Sequence, residues 1–195
     1  MTVLVHYREE VRSGSQAFSH VCRVRDLDLP PNLKTVTRCG VILCTCIDST
    51  LYFCMGRDSM TGQITDFGGT YVNSKDQNPV KCALRELKEE TLDTVILKTN
   101  NVKDSICVYN SSCLIIFYAV RPELLERYLS TFSANLTSTK TKVEVDMISC
   151  YTQQEIETMM CRKIVYDKVT NLLLPRIHHI FRILSSKCSD YCNVT

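Results

Sequence analysis

Short apolar runs bounded by turn-forming residues recur along the chain, a pattern typical of strands in a sheet. The predicted strands cover residues 37–48, 51–56, 64–67, 95–97, 106–109, 113–120 and 143–149. The predicted helices are a central helix after Asn78, a helix from Pro122, a helix capped by Thr152 and Glu155, and one kinked helix or two helices over residues 164–184. This alternation of strands and helices predicts an α/β fold.

The two ends of the chain and one internal segment lack such a pattern. Residues 130–142 are rich in Ser and Thr and predict a long surface loop or a disordered tip. Near the N-terminus, strand-like runs at residues 3–5 and 20–24 flank a turn at residues 13–15, and Pro30-Pro31 marks a break. This part could pair with the core, cover it or form a homodimer contact. We therefore predict an N-terminal extension (1–34), one domain (35–184) and a frayed polar tail (185–195).

The central helix carries an acidic face. Asn78 is a good N-cap, and Pro79 suits the first helical position. The apolar stripe consists of Val80, Ala83, Leu84 and Leu87, and the acidic arc beside it of Glu86, Glu89, Glu90 and Asp93. Like charges four residues apart destabilise a helix by roughly 0.2–0.5 kcal/mol per pair. A divalent cation that prefers oxygen ligands would offset this cost, and a solvated face of mixed charge is the alternative.

The stretch around this helix resembles the signature of the Nudix hydrolases, G-x5-E-x7-R-E-U-x-E-E-x-G-U, where U is a bulky aliphatic residue. Gly68-Gly69 supplies the glycines, and residues 85–90 (RELKEE) match the R-E-U-x-E-E half without a gap. The chain departs from the signature in three ways. Its loop is two residues longer, the loop Glu falls on Gln77 with Asp76 beside it, and the closing Gly and aliphatic residue fall on Leu92 and Asp93.

The resemblance implies a Nudix fold, in which a mixed β-sheet is sandwiched between helices. It also implies hydrolysis of a diphosphate linkage in a nucleoside diphosphate linked to another moiety, with Mg²⁺ or Mn²⁺ as cofactor. Carried over residue by residue, it makes Glu86, Glu89 and Glu90 metal ligands, with Glu90 the central one. The carbonyl of Gly69 would complete the shell, and Arg85 would pin the loop by pairing with a carboxylate.

The predicted strand at residues 143–149 resembles a late strand of the family that often carries an acidic residue. Glu144 is its counterpart here, and Asp146 is the near alternative. Either carboxylate could help to hold a metal or orient the attacking water, and a surface carboxylate at a strand edge is the other interpretation. For the general base, Glu86 is the first choice and Glu144 the second.

The resemblance leaves the substrate open between a nucleotide and capped RNA. The diverged signature looks like that of the mRNA-decapping enzymes of large DNA viruses, which would release m7GDP. Such an enzyme needs a basic track and an aromatic platform for the cap base. Candidates are Arg162, Lys163, Lys168, Arg176 and Arg182 for the track, and Tyr52, Tyr109 or Tyr151 for the platform, all of which also have ordinary surface or core explanations. A non-enzymatic Nudix-fold binding module is the third hypothesis, which Gln77 favours and the retained carboxylates oppose.

Composition adds few constraints. The net charge of +2 argues neither for nor against nucleic acid. The N-terminal residues lack a signal-peptide pattern, and the longest apolar run, 113–120, is too short to span a membrane. Twelve scattered cysteines predict core thiols of a cytoplasmic protein, with zinc sites and disulfides as alternatives. Adjacent His178 and His179 point about 100° apart on a helix, so we expect no joint chelation.

Overall fold

The computed structural model describes residues 19–27 and 36–192. The strands are β1 (His20–Arg23), β2 (Arg38–Ile47), β3 (Thr50–Asp58), β4 (Ile64–Thr65), β5 (Phe67–Thr70), β6 (Ile106–Tyr109), β7 (Cys113–Ala119) and β8 (Val145–Thr152). The helices are α1 (Pro79–Glu90), α2 (Thr99–Val102), α3 (Pro122–Ser138), α4 (Gln153–Cys161), α5 (Asp167–Leu173) and α6 (Ile177–Cys192), with 3-10 turns at Val24–Asp26 and Leu174–Arg176.

All eight strands belong to one mixed sheet. Its order is β1–β6–β7–β2–β3–β4, with β5 paired to β2 and β8 paired to β3. The pairing of β2 with β7 is parallel, and the other pairings are antiparallel. β2 is therefore the central strand, and it also pairs with the short strand β5 that carries the glycine pair.

Helices cover both faces of the sheet. Successive residues of β2 point to opposite faces, so that Ile42 and Cys44 join one apolar cluster, while Val41 and Leu43 join the other. The first cluster is completed by α4, α5 and α6, and the second by α1, α2 and α3. The predicted mixed sheet sandwiched between helices is thus confirmed.

The prediction of a loop over residues 130–142 is wrong for residues 130–138, because α3 continues to Ser138, and residues 139–142 lie outside the helices and strands. Leu125 and Phe132 are buried seven residues apart on this helix, which is the spacing of a helical stripe. The intervening hydroxyls bond back to the preceding turn: Oγ of Ser130 donates to the carbonyl of Glu126 (2.9 Å), and Oγ of Ser133 to that of Leu129 (3.0 Å). Ser and Thr that satisfy their hydroxyls in this way are tolerated inside a helix.

The predicted strand at residues 95–97 is also wrong. After α1 the chain turns through Leu92 and Asp93, both with positive φ (52° and 59°), and continues to α2 without a partner in the sheet. Val95 is buried, but its N–H bonds to Oγ1 of Thr91 (3.2 Å) rather than to a strand. A short apolar run therefore packs under α1 without strand pairing.

The strand-like run predicted at residues 20–24 forms a strand that pairs with the core, the first of the alternatives given for this part of the chain. β1, from the expected extension, pairs with β6 at the edge of the sheet. α6 continues through the expected tail to Cys192. The predicted strand at residues 3–5, the turn at 13–15 and the break at Pro30-Pro31 lie outside the described residues. No helix within residues 19–27 and 36–192 combines the length and apolar content that crossing a bilayer requires.

One cysteine pair departs from the expectation of free thiols. Cys54 on β3 and Cys150 on β8 are opposite each other in the register and form a disulfide. This link joins β3, which ends at Asp58, to β8, which begins directly after Glu144.

Candidate active site

The glycine pair brings the backbone of β5 against α1. A Cβ on Gly69 would lie 2.5 Å from Cδ of Glu86, and one on Gly68 would lie 2.7 Å from Cα of Gly40. Real Cβ atoms essentially never approach other atoms this closely, so only glycine allows these contacts. As a result, the carboxylate of Glu86 reaches the backbone of β5.

Arg85 ties the preceding loop to the acidic face of α1. Its Nε and Nη2 donate to the two carboxylate oxygens of Asp76 (2.8 and 2.9 Å). It also forms ion pairs with Glu86 (2.7 Å) and Glu89 (2.9 Å). The hydrogen bonds from Arg85 are the main cause that lowers the pKa of Asp76. Asp76, rather than the neighbouring Gln77, is therefore the loop carboxylate that Arg85 holds.

Glu90 is buried next to β5 and is only partly satisfied by hydrogen bonds. The nearby backbone of Gly68 lowers the pKa of its carboxyl group, but Oε2 is buried and has no hydrogen-bond partner in the described part of the chain. Burial, followed by the negative charge of Asp66, raises the pKa of Glu90 to about 9. A buried carboxylate oxygen without a partner is costly, and a bound cation would remove that cost.

A second ion pair, Arg38–Asp66, lies beside Glu90. Nη1 of Arg38 donates to Oδ2 of Asp66 (2.7 Å), and Nη2 lies 2.7 Å from Oδ1. Nη2 also donates to the carbonyl of Gly68 (2.9 Å) and to Oγ1 of Thr65 (3.2 Å). Asp66 is completely buried and fills the space that a Cβ on Gly40 would need. Burial is the largest single influence on the pKa of Arg38 and lowers it, but the charge and hydrogen bond of Asp66, together with other nearby acidic groups, raise the pKa overall.

These groups face a cavity of about 270 Å³. Its lining consists of Arg38, Asp58, Thr61, Gln63, Thr65, Gly68, Gly69, Thr70, Glu90, Glu144, Tyr166 and Lys168. The lining thus includes carboxylates and the glycine backbone, while Arg38 and Lys168 contribute positive charge. Such a cavity offers contacts both to a cation and to an anionic ligand.

The wall with Tyr166 and Lys168 is fixed to β4. The N–H of Ile64 donates to the carbonyl of Ile164 (2.9 Å), and the N–H of Tyr166 donates to the carbonyl of Ile64 (2.8 Å). The guanidinium carbon of Arg38 lies 5.3 Å from the centre of the Tyr166 ring, a cation–π distance. Backbone hydrogen bonds therefore hold the start of α5 at the cavity.

The structure separates the two carboxylates of the late strand. Asp146 forms a two-pronged ion pair with Arg57, in which Nε lies 2.8 Å from Oδ1 and Nη2 lies 3.1 Å from Oδ2. Glu144 lies just before β8, is exposed, and lines the cavity. Of these two candidates, only Glu144 faces the site.

Not all residues of the predicted metal set lie in the cavity lining. Gly69 and Glu90 line it, and Glu86 packs against Gly69. Burial is the main cause that raises the pKa of Glu86, and the charge of Glu144 adds to this effect. Glu89 is exposed and paired with Arg85.

A hard cation such as Mg²⁺ or Mn²⁺ needs oxygen donors that are free to bind it. Within residues 19–27 and 36–192, no group of three or more His, Cys, Asp or Glu side chains is arranged as a metal cluster. The chemistry of the site nevertheless fits Mg²⁺ or Mn²⁺, because a carboxylate oxygen of Glu90 is buried without a partner and oxygen is what these ions prefer.

Several predicted contacts lie elsewhere, and other groups were missed. Lys168, one of the basic residues proposed for an RNA track, lines the cavity. The tyrosines proposed as an aromatic platform, Tyr52, Tyr109 and Tyr151, do not line it. Tyr109 instead stacks on His20 at the sheet edge (5.1 Å between ring centres). Sequence reasoning missed Arg38, Asp66 and Tyr166. For Asp66 a signal exists, since a charged residue interrupts the apolar run directly before the glycines.

Comparison with known proteins gives similarity in structure only. No family model matches the sequence, and no curated protein matches it. The NUDIX domain of Shewanella oneidensis NrtR complexed with ADP ribose is 12% identical (TM-score 0.36), over 64% of this chain and 77% of that chain. C. elegans Ap4A hydrolase is 12% identical (TM-score 0.40), over 71% of this chain and 93% of that chain.

A longer protein is also similar. NrtR of Shewanella oneidensis complexed with a 27mer DNA is 12% identical (TM-score 0.38), over 62% of this chain. The chain spans about half of the NrtR chain (52%). Residues 68–90 resemble the Nudix signature, and a NUDIX domain is among the solved structures to which the chain is similar.

Proposed function

We propose that this chain is a Nudix-type hydrolase that cleaves a diphosphate linkage in a nucleoside diphosphate linked to another moiety, with Mg²⁺ or Mn²⁺. The observation that carries the proposal is the carboxylate of Glu90, which is buried at the cavity with one oxygen unpartnered. A purely structural carboxylate in such a place would be replaced by an apolar residue with a gain in stability. A cation bound at this oxygen would account for a carboxylate at this position.

In this proposal, Glu90 is the central metal ligand, Glu86 and Glu89 supply further carboxylates, and the carbonyl of Gly69 completes the shell. When bound, the metal would neutralise charge on the diphosphate and lower the pKa of the attacking water. Glu86 and Glu89 currently share Arg85, which uses one oxygen of each carboxylate. Their second oxygens are the ones we assign to the ion.

Other groups in and beside the cavity orient the reactants. Arg85 holds the acidic face of α1 next to the loop by its ion pair with Asp76. Glu86 and Glu144 are the two candidates for the base that accepts the proton of the attacking water. Glu144 faces the cavity, and Glu86 packs against Gly69. Lys168 is placed to bind a phosphate oxygen of the substrate, since an ammonium group is a strong donor to phosphate.

The experiment is a product-release panel in Mg²⁺ and in Mn²⁺. Its substrates are free nucleotides, dinucleoside polyphosphates, ADP-ribose and cap-labelled RNA, and its proteins are the wild type, Glu90→Gln and a matched control, Glu126→Gln, which changes an exposed carboxylate on α3. We expect metal-dependent turnover by the wild type and the control, and its loss in a folded Glu90→Gln variant. Normal turnover by Glu90→Gln would refute the assignment of Glu90.

The panel also separates the alternatives for the substrate. Release of m7GDP from capped RNA alone would make the chain a decapping hydrolase. Because RNA binding neutralises several phosphates, that activity would weaken steeply with salt, whereas hydrolysis of a small nucleotide would not. No product from any substrate, with the protein folded, would favour a non-enzymatic binding module.

A further inference from the structure

Arg38 connects three parts of the cavity. Its guanidinium pairs with Asp66, donates to the carbonyl of Gly68 and lies over the ring of Tyr166. These three contacts join the start of β2 to the approach to β5, to the glycine pair, and to the wall before α5. We propose that Arg38 and Asp66 are positioning residues, whose ion pair fixes the Gly68-Gly69 backbone and, through it, the carboxylate of Glu90. This inference rests on the proposed function.

The backbone of the glycine pair depends on its neighbours for a fixed orientation. Glycine has more backbone freedom than any other residue, so the carbonyl of Gly69 can be aimed only if neighbouring groups hold it. Because the peptide unit is planar, the hydrogen bond from Arg38 to the carbonyl of Gly68 orients the Gly68–Gly69 peptide up to Cα of Gly69, the atom to which the Gly69 carbonyl is attached. On the other side of Gly68, its backbone lies close enough to the Glu90 carboxyl group to lower the pKa of that group. Arg38 and Glu90 are thus linked through a single residue.

The ion pair of Arg38 and Asp66 is buried, which costs desolvation free energy. Asp66 is fully buried, and the side chain of Arg38 is 7% exposed. Replacing a buried ion pair by apolar residues of similar volume is often neutral or stabilising. Stability alone therefore does not explain why a charged pair is present here. Positioning does, because an apolar pair cannot donate to the Gly68 carbonyl.

The test compares the same change at two Arg–Asp pairs. Arg38→Lys keeps the charge but loses the two-pronged fork. Arg57→Lys makes the same change at the pair with Asp146, which has no contact with the glycines. Each variant is assayed for kcat and KM, and its Mn²⁺ affinity is measured by electron paramagnetic resonance.

We expect Arg38→Lys to lose kcat by about 10²-fold, as for a small misplacement of reacting groups, with KM nearly unchanged. Its Mn²⁺ affinity should fall roughly tenfold, as when an outer-shell partner of a metal ligand is removed. Arg57→Lys should match the wild type in both. Equal kcat and equal Mn²⁺ affinity in the two variants would overturn the inference.

A double variant separates positioning from packing. Asp and Leu branch at the same atom, so Arg38→Met with Asp66→Leu removes both charges while filling a similar volume. We expect its melting temperature to match the wild type and its kcat to stay low. Recovery of wild-type kcat would show that the pair only fills space. If the wild type itself cleaves nothing, the proposed function fails, and the Mn²⁺ affinities of Arg38→Lys and Arg57→Lys alone decide the inference.

Discussion

Replacing Glu90 by Gln should abolish turnover and yet stabilise the metal-free protein at neutral pH. The folded protein holds the pKa of Glu90 at about 9, above its ordinary value of 4.5, because the carboxyl group is buried and lies near Asp66. Between these two pH values the folded state therefore keeps a proton that the unfolded state has released. Stability must then fall as the pH rises through this window.

The size of the effect follows from the same values. Each pH unit within the window costs about 1.4 kcal/mol, so the wild type should lose about 3 kcal/mol between pH 5 and pH 7 from this group alone. Gln does not titrate, so the variant avoids this loss. For a chain of this size, a difference of about 3 kcal/mol corresponds to roughly 6–12 °C in melting temperature. The melting temperature of Glu90→Gln minus that of the wild type should therefore be larger at pH 7 than at pH 5 by this amount.

The assay is thermal unfolding of both proteins in EDTA across pH 5 to 9, with Glu126→Gln as the control. Adding Mg²⁺ at a hundred times its dissociation constant should then stabilise the wild type by about 2.7 kcal/mol and so raise its melting temperature. The melting temperature of Glu90→Gln should stay unchanged. Parallel pH curves for the wild type and Glu90→Gln, or equal responses of the two to Mg²⁺, would refute the reasoning.

Three further predictions concern the surroundings of this carboxylate. Asp76→Ala should lower the free energy of unfolding by about 2 kcal/mol through the lost charge-assisted hydrogen bonds. Gln77→Ala should change it by less than about 0.5 kcal/mol in the same urea titration, and equal losses would contradict the assignment of the loop contact to Asp76. Gly69→Ala should cut turnover by about 10²-fold because its Cβ displaces the Glu86 carboxylate, and unchanged turnover would contradict the crowding described. Lys168→Gln should raise KM about tenfold with little change in kcat through one lost contact to phosphate, which steady-state kinetics will show or exclude.

Local signals in the sequence predict local structure well. The cap of α1 is where the sequence places it: Oδ1 of Asn78 accepts from the N–H of Lys81 (3.0 Å). The capping box of Thr152 and Glu155 also forms. In both cases the partners are three residues apart, so these capping hydrogen bonds depend little on tertiary structure.

Contacts between distant segments are what the sequence does not reveal. The signature places the loop carboxylate on Gln77, yet Asp76 points at Arg85, because the longer loop changes which side chain faces α1. Likewise, Arg38 and Tyr166 meet only because β4 is bridged to the segment before α5. Neither pairing leaves a periodic pattern in the sequence.

The position of β1 bears on how a shortened chain would behave. β1 covers the outer edge of β6 along its whole length, from His20 opposite Tyr109 to Arg23 opposite Ile106. A truncation at residue 35, where the sequence alone would place the domain boundary, would strip this cover and leave backbone donors and acceptors of β6 open to a strand from another molecule. Self-association of such a fragment would be an artefact of the cut and no guide to the oligomeric state of the intact chain.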